Sequence, residues 1–562
     1  MKTSYTNFMR LLTVLMLMFV SFQLFAQKPP VDEAIYPIIA EKGPEAAIAE
    51  YHRLKSEKPD EYDFTEARLN ILGYKLMAEE KNEAAMKILE LNIQQFPKSL
   101  NVYDSYAEAC LKNYQNDLAI ENYKKVLELL PTAENLPGPK QFFENNAKMN
   151  ILIAEHFNRT ANPSLTYYGN FGGGPAGNWD ITNLVAFQEA NNGMAINYKK
   201  NNFYRSPVPY FVHDAFKPEH RPDVVSSFIR GVYRDYAANG DIADISALWK
   251  SEGWDDAFPE SLKKMSAYNG KQYFVPQAFQ WNPIWYRKDI FAKLNLQPPD
   301  TWEELLTLCD KLHAAGHLPF TVSGRGWSPP VARWFTILNL RLNGPEFHDD
   351  VMQGKISYKD NKIRTVFSHW AQLFEHNAFA DSSEENNWAN GVTDLASGRA
   401  AMYNIGEWIY EAKAIADIVD SLDFFTIPVL NPDVTPAEIV HVYGAFMLSD
   451  SKHPDRAKNF LKYLGGSDSQ ENNHQTLKRI ASNKSAYSQY PALQKRQYDA
   501  IKNTPVLVPL FEFNTHPKMA DAALNAFLKF WANPADVEAV LTDLEDARKT
   551  VFTGDQFGSL KN

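Results

Sequence analysis

The stretch LASGRAAMYNIGEW (395–408) decides how the second half of the chain is read. Ala400 to Ile405 is a short, almost unbroken apolar run, the pattern of a strand buried on both faces, and it stops at Gly406. A carboxylate, Glu407, and an indole, Trp408, follow at once. Groups at the end of such a strand stand where open α/β sheets bind their ligands, so the pair reads as part of a site.

The neighbouring segments carry the same α/β texture. TWEELLTLCDKLHAAG (301–316) opens with a capping box, Thr301 with Glu304. It then sets Leu305, Leu308, Cys309 and Leu312 on one helical face and stops at Gly316. Pro454 opens a further amphipathic helix whose Ala457, Phe460, Leu461 and Leu464 face a core, ending at Gly465 and Gly466. The texture begins near 162 to 165, where LTYYGNFGGGPAGNWD (165–180) runs a strand into a glycine-rich turn. That turn lacks the GxGxxG frame of a dinucleotide site. INYKKN and PDVVSSF then read as further strands.

Upstream, from about 30 to 160, the chain is rich in Ala, Leu, Glu and Lys at helical spacing. Leu72-Gly73, Ala85, Leu89 and Pro97 recur as Tyr106-Ala107, Ala119, Tyr123 and Pro131, a period of 34 residues. A looser copy holds Ala47, Tyr51, Leu54 and Pro59, and KQFFENNAKMNILIAEHF follows as a cap. Small residues where two helices cross, with proline ending the second, resemble the tetratricopeptide repeat. Such repeats imply either an interaction groove or a spacer.

At the N-terminus, Lys2 and Arg10 precede the apolar run 11–22, and Ala26 follows, so residues 1–26 are expected to be a cleaved secretory signal peptide. No cysteine lies near that cleavage point for a lipid anchor. The protein is therefore expected to be periplasmic or secreted. Cys110 and Cys309, the chain's two cysteines, fall in different helices and are read as buried. A formal charge of -11 argues against nucleic acid or an anionic membrane as partner.

From about 164 to the C-terminus, the order of motifs resembles the extracellular solute-binding proteins of ABC transporters, in the cluster that includes the maltose- and sugar-binding proteins. PDVVSSF (222–228), YNGKQYFVPQAFQWNPIWYRKDIFAKL (268–294), 301–316, LASGRAAMYNIGEW and YGAFMLSDSKHPDRAKNFLKYLGG (443–466) carry the resemblance. It implies an α/β fold of two hinged lobes, the type II arrangement, preceded by the all-α repeats at 27–160. Lobe one would take 164–278 and part of 428–562, and lobe two 286–425.

The resemblance maps a sugar site onto this chain, with no cofactor and no metal. Tyr168 and Asn170 follow the first strand, and Ser226, Ser227 and Phe228 follow PDVV. Gln280, Trp281 and Asn282 lie at the crossover. Trp327, Arg333 and Trp334 lie on lobe two with Glu407 and Trp408, and Tyr443 begins the return strand. Trp334 is also at helical spacing with Leu338, which suits a core position, whereas Trp285 and Tyr286 belong to the crossing strand's core. The Gly172–Gly174 run and the segment 201–221 depart from the family.

The expected function is capture of a small solute, a carbohydrate, for transporter membrane subunits. Two alternatives stand beside it: a sensor acting on a receptor through the repeats, and a secreted glycan-active enzyme. His213-Asp214 and Glu219-His220 could be written as acid/base groups. No HExxH or GxSxG motif accompanies them, so no catalytic residue is assigned.

Overall fold

The computed structural model describes residues 28–552 apart from 135–139, 161, 170–174, 201–220, 230, 232, 323–330, 380–387 and 487–489. The expected signal peptide, Asn170, the Gly172–Gly174 run, both His-acid pairs and Trp327 lie outside the described residues. The chain divides into two compact units, 1–161 and 162–562.

The first unit is helical. Val31–Lys42 with Pro44–Glu57, Glu66–Ala78 with Asn82–Gln95, and Leu100–Lys112 with Asn116–Leu129 form consecutive pairs, and Lys140–His156 follows. Ala47, Ala85, Ala107 and Ala119 are fully buried. Gly73 shows why the crossing residues are small, because a Cβ there would lie 2.5 Å from the Leu89 side chain. Cys110 is buried in this core.

The second unit is built on two sheets. The strands are β1 (Leu165–Gly169), β2 (Ile196–Lys200), β3 (Val224–Phe228), β4 (Ala267–Tyr268), β5 (Lys271–Gln272), β6 (Val275–Trp281), β7 (Ile284–Arg287), β8 (Leu318–Thr321), β9 (Ala400–Asn404), β10 (Leu422–Phe425), β11 (Ala437–Met447), β12 (Ile480–Ala481) and β13 (Val506–Val508). A seven-stranded sheet, in the order β12-β6-β11-β3-β1-β2 with β13 on β11, forms lobe one. A four-stranded sheet, β10-β7-β9-β8, forms lobe two, and β4 pairs with β5 alone. Three described segments cross between the lobes: Asn282-Pro283, residues 426–436, and Pro509-Leu510.

Lobe two is filled by helices on both sides of its sheet. Thr301 Oγ1 accepts from the Glu304 N–H at 3.2 Å and Glu304 Oε2 accepts from the Thr301 N–H at 3.2 Å, the reciprocal cap that starts helix Trp302–Ala314. Its Leu305, Leu308, Cys309 and Leu312 are buried together. The helices Pro517–Ala532 and Val537–Val551 return to this same core, where Phe527 stacks on Phe335 and Phe530 packs on Phe367 and Trp370. Lobe two therefore holds the C-terminal helices as well as 286–425, because their apolar stripe matches the face left open by Val331–Met352 and Asn361–Glu375.

The second crossing is tied by charge. Arg341, on helix Val331–Met352 of lobe two, donates to the carbonyls of Ile427 at 3.0 Å and Ala437 at 2.6 Å and pairs with Glu438. Glu438 also accepts from the Trp281 indole N–H at 3.0 Å. One guanidinium thus binds both ends of the second crossing to the end of β6.

Candidate functional site

Strand alternation selects what lobe one offers. Pairing of β11 with β3 and β6 sets Tyr443 beside Phe228 and His441 beside Gln280, and period two then puts Ser226, Phe228, Gln280, His441 and Tyr443 on one face. Phe228 is the hub of that face. Its ring centre lies 5.0 Å from His441, 5.9 Å from Tyr443 and 5.6 Å from Phe513, which arrives from lobe two after the third crossing.

Lobe two answers with Trp408. Its indole lies 5.2 Å from the His441 ring, and the Arg333 guanidinium carbon sits 5.1 Å from the indole centre. Arg333 Nη1 donates to the Asn404 carbonyl at 3.1 Å, fixing the guanidinium to the end of β9. Gly406 permits this placement through space rather than through its dihedral angles: a Cβ there would lie 2.0 Å from the Trp408 ring.

Charged groups converge on the same seam. Glu407 is fully buried, and among the described residues no side chain hydrogen-bonds either carboxylate oxygen. Burial pushes its pKa well above the usual carboxylate range, opposed by the backbone N–H groups of Glu407 and Trp281 and by the charge of Arg479. Burial lowers the pKa of Arg333, opposed by Tyr403 and Glu512. Arg479 and Glu512 are themselves buried. Behind the aromatic face, Asp180 accepts from the hydroxyls of Tyr167 at 2.7 Å, Tyr198 at 3.3 Å and Tyr443 at 3.4 Å. Burial pushes the Asp180 carboxyl up to about 6 against those three hydrogen bonds. Ser226 Oγ bonds the Tyr443 hydroxyl, and Trp179 packs edge-on against that ring at 5.8 Å.

Aromatic faces with buried hydrogen-bonding groups at their edge suit a ligand with an apolar face and a hydroxylated rim. The model of the family described as bacterial extracellular solute-binding protein matches residues 221–471. Over those residues the chain is similar to that family.

The chain is 24% identical over 323 residues to an uncharacterised ABC transporter extracellular-binding protein of Pyrococcus horikoshii, covering 56% of this chain and 71% of that one. It is 27% identical over 222 residues to a probable sugar-binding periplasmic protein of Mesorhizobium japonicum, covering 39% of this chain and 52% of that one. The matched stretches thus span about half to seven-tenths of those two relatives. Among solved structures, the bacterial solute receptor AcbH, described with a preference for β-D-galactopyranose, superposes with a TM-score of 0.61 at 21% identity, covering 69% of this chain and 99% of that one. A chitin oligosaccharide binding protein superposes with a TM-score of 0.56 at 18% identity, covering 66% and 96%. The likeness establishes the two-lobed type II fold for the second unit.

The fold of the second unit brings Ser226, Phe228, Gln280, Arg333, Glu407, Trp408 and Tyr443 to the seam between the lobes. Asn282 lies at the first crossing, where its carbonyl accepts from Asn404 Nδ2 at 3.1 Å. Four expected residues point elsewhere. Trp281 is turned by alternation to the opposite sheet face, among Phe279, Val440 and Val442, and serves the hinge tie with Glu438. Tyr168 packs on that same opposite cluster. Ser227 is buried and donates to the Phe228 carbonyl at 3.2 Å. Trp334 is buried against Phe320 and Phe379 at 5.0 and 5.3 Å, so its helical spacing with Leu338 marked core. Tyr443 stands mid-strand in β11, which begins at Ala437.

His441, Phe513, Glu512, Arg479, Trp179 and Asp180 escaped the reading of the sequence. His441 carries a usable signal, being the polar interruption in EIVHVYGAF; Arg479 and Glu512 stand in segments with no marking pattern.

Proposed function

We propose that this protein captures a neutral carbohydrate between its two lobes and hands it to the membrane subunits of an ABC transporter outside the cytoplasm. The observation that carries this reading is Glu407, a buried carboxylate that no described side chain hydrogen-bonds, at a seam between lobes, with Arg479 acting on it from lobe one. A buried carboxylate left unpaired is costly, and sugar hydroxyls would satisfy it while a ring face covers Trp408. The sugar-binding names of several relatives, including an alpha-glucosides-binding periplasmic protein of Rhizobium meliloti at 26% identity, support the same ligand class.

Closure would be stabilised by contacts that both lobes make only with ligand present. Phe228, Gln280 and Arg479 would hold the sugar from lobe one, and Trp408, Arg333 and Glu407 from lobe two. The 34-residue period of the helical unit supports reading it as tetratricopeptide-like repeats whose concave face takes a protein partner. Titration calorimetry of the chain with a panel of mono- and oligosaccharides tests the proposal. Saturable binding without turnover is expected. Binding of a charged metabolite with silence across the sugars would refute it.

A further inference from the structure

We propose that a cavity on the other face of the β3–β11–β6 sheet is a second small-molecule site, made for a neutral hydroxylated ring of monosaccharide size. The cavity has a volume of about 300 Å³, at the small end of ligand pockets. Its apolar floor, Ile229, Ile242, Phe274 and Leu507, belongs to the cluster on the side of the sheet away from His441 and Phe228, and it shares no residue with the aromatic group around Trp408.

The walls carry the recognition chemistry. Tyr233, Tyr268 and Tyr273 supply flat faces with hydroxyl edges. Ser266 lines the cavity, is 4% exposed, and has a hydroxyl with no hydrogen-bond partner among the described residues. Among the described lining residues, Lys264 and Arg234 stand against Glu346 and Asp349, a balance that favours a neutral guest that exchanges hydrogen bonds over an ion. Aromatic faces with polar edges select a ring having one apolar side and hydroxyls around it.

The cavity is walled by both lobes. Gly344 adopts φ +80, which breaks helix Val331–Met352 and swings Pro345, Glu346 and Asp349 of lobe two onto the cavity. Arg234 of lobe one donates to both Asp349 oxygens at 2.9 Å. Strand β13 and the start of the third crossing supply Pro505 to Pro509. A guest here therefore touches each lobe and the strand between them, so its occupancy is coupled to lobe closure, and the coupling acts equally in both directions.

The test uses the full chain and three probes, D-glucose, D-galactose and D-xylose, titrated calorimetrically into the tens of millimolar. Binding is read first in Trp408→Ala, which weakens the first site, and is assigned to the cavity only when changes to the cavity's own residues remove or weaken it. At least one probe is expected to bind Trp408→Ala with one site per chain. Adding Ala267→Trp, which plugs the cavity from β4, should abolish that binding. Adding Tyr273→Ala instead should weaken it roughly tenfold, the loss of one stacking ring, and decides the matter if the plugged protein does not fold. No binding of any probe to Trp408→Ala, or binding untouched by Tyr273→Ala, overturns the proposal.

Discussion

Removing Trp408 is the most direct probe of the seam, and its size follows from what the indole touches. The ring lies 5.2 Å from His441 and 5.1 Å from the Arg333 guanidinium carbon, and it is only partly buried at the edge of a small cluster with Trp285 and Tyr403. A bound sugar would lose a stacking face, about 0.5–1.5 kcal/mol beyond area burial, and a platform polarised by Arg333, about 0.5–2 kcal/mol. Trp408→Ala should therefore weaken sugar binding by about 1–3 kcal/mol, roughly 5- to 150-fold in Kd. Because Trp408 and His441 touch, His441→Ala combined with Trp408→Ala should fall short of additivity by roughly 0.5–1.5 kcal/mol. Titration calorimetry supplies each Kd, and thermal unfolding without ligand supplies the control. An unchanged Kd, or a free protein that melts many degrees lower with binding intact, would show that the indole is packing and not platform.

Gly406→Ala keeps the indole but removes the space it occupies, since a Cβ would lie 2.0 Å from the ring; binding should drop as in Trp408→Ala while helix content by circular dichroism stays the same. Asp180 titrates near 6 in the fold against an ordinary value near 3.8, so the folded state binds the extra proton and its stabilising effect is lost as pH rises from about 4 through 6. Asp180→Asn should flatten that part of the stability curve, on the order of 3 kcal/mol, in urea melts taken at successive pH values. Glu407 is raised in the same direction by burial, so Glu407→Gln should stabilise the free protein at pH 7 to 8 relative to wild type and leave it nearly unchanged at pH 4, while weakening sugar binding. Thr301→Ala removes the reciprocal cap and should lower stability by about 0.5–2 kcal/mol with sugar affinity unchanged.

What was legible in the sequence is what neighbours along the chain decide. Thr301 and Glu304 cap one helix within four residues, Gly73 admits Leu89 of the next helix, and Gly406 and Trp408 shape one turn, so these features stand in short windows. What was not legible depends on register. VPQAFQW is buried on both faces, so no alternation of polarity tells which of Gln280 and Trp281 faces the ligand. Only pairing with β11, His441 beside Gln280, decides it. Arg479 and Glu512 reach the seam from segments far along the chain, and burial of a charge leaves no mark in a single sequence.

The same parity explains why one sheet serves two purposes. Phe228, Gln280, His441 and Tyr443 occupy the face toward the lobe seam, while Val225, Phe279, Trp281, Val440 and Val442 fill the other. A one-residue slip of β11 against β6 would exchange the two sets, putting His441 into an apolar cluster and Val440 and Val442 against Trp408. That slip is opposed by Arg341, which holds the Ala437 carbonyl and Glu438 at the first two residues of β11, and by the Trp281 indole on Glu438. Trp281 would therefore matter to the proposed ligand capture without touching the ligand, because it pins the register that presents His441 and Tyr443 to the seam.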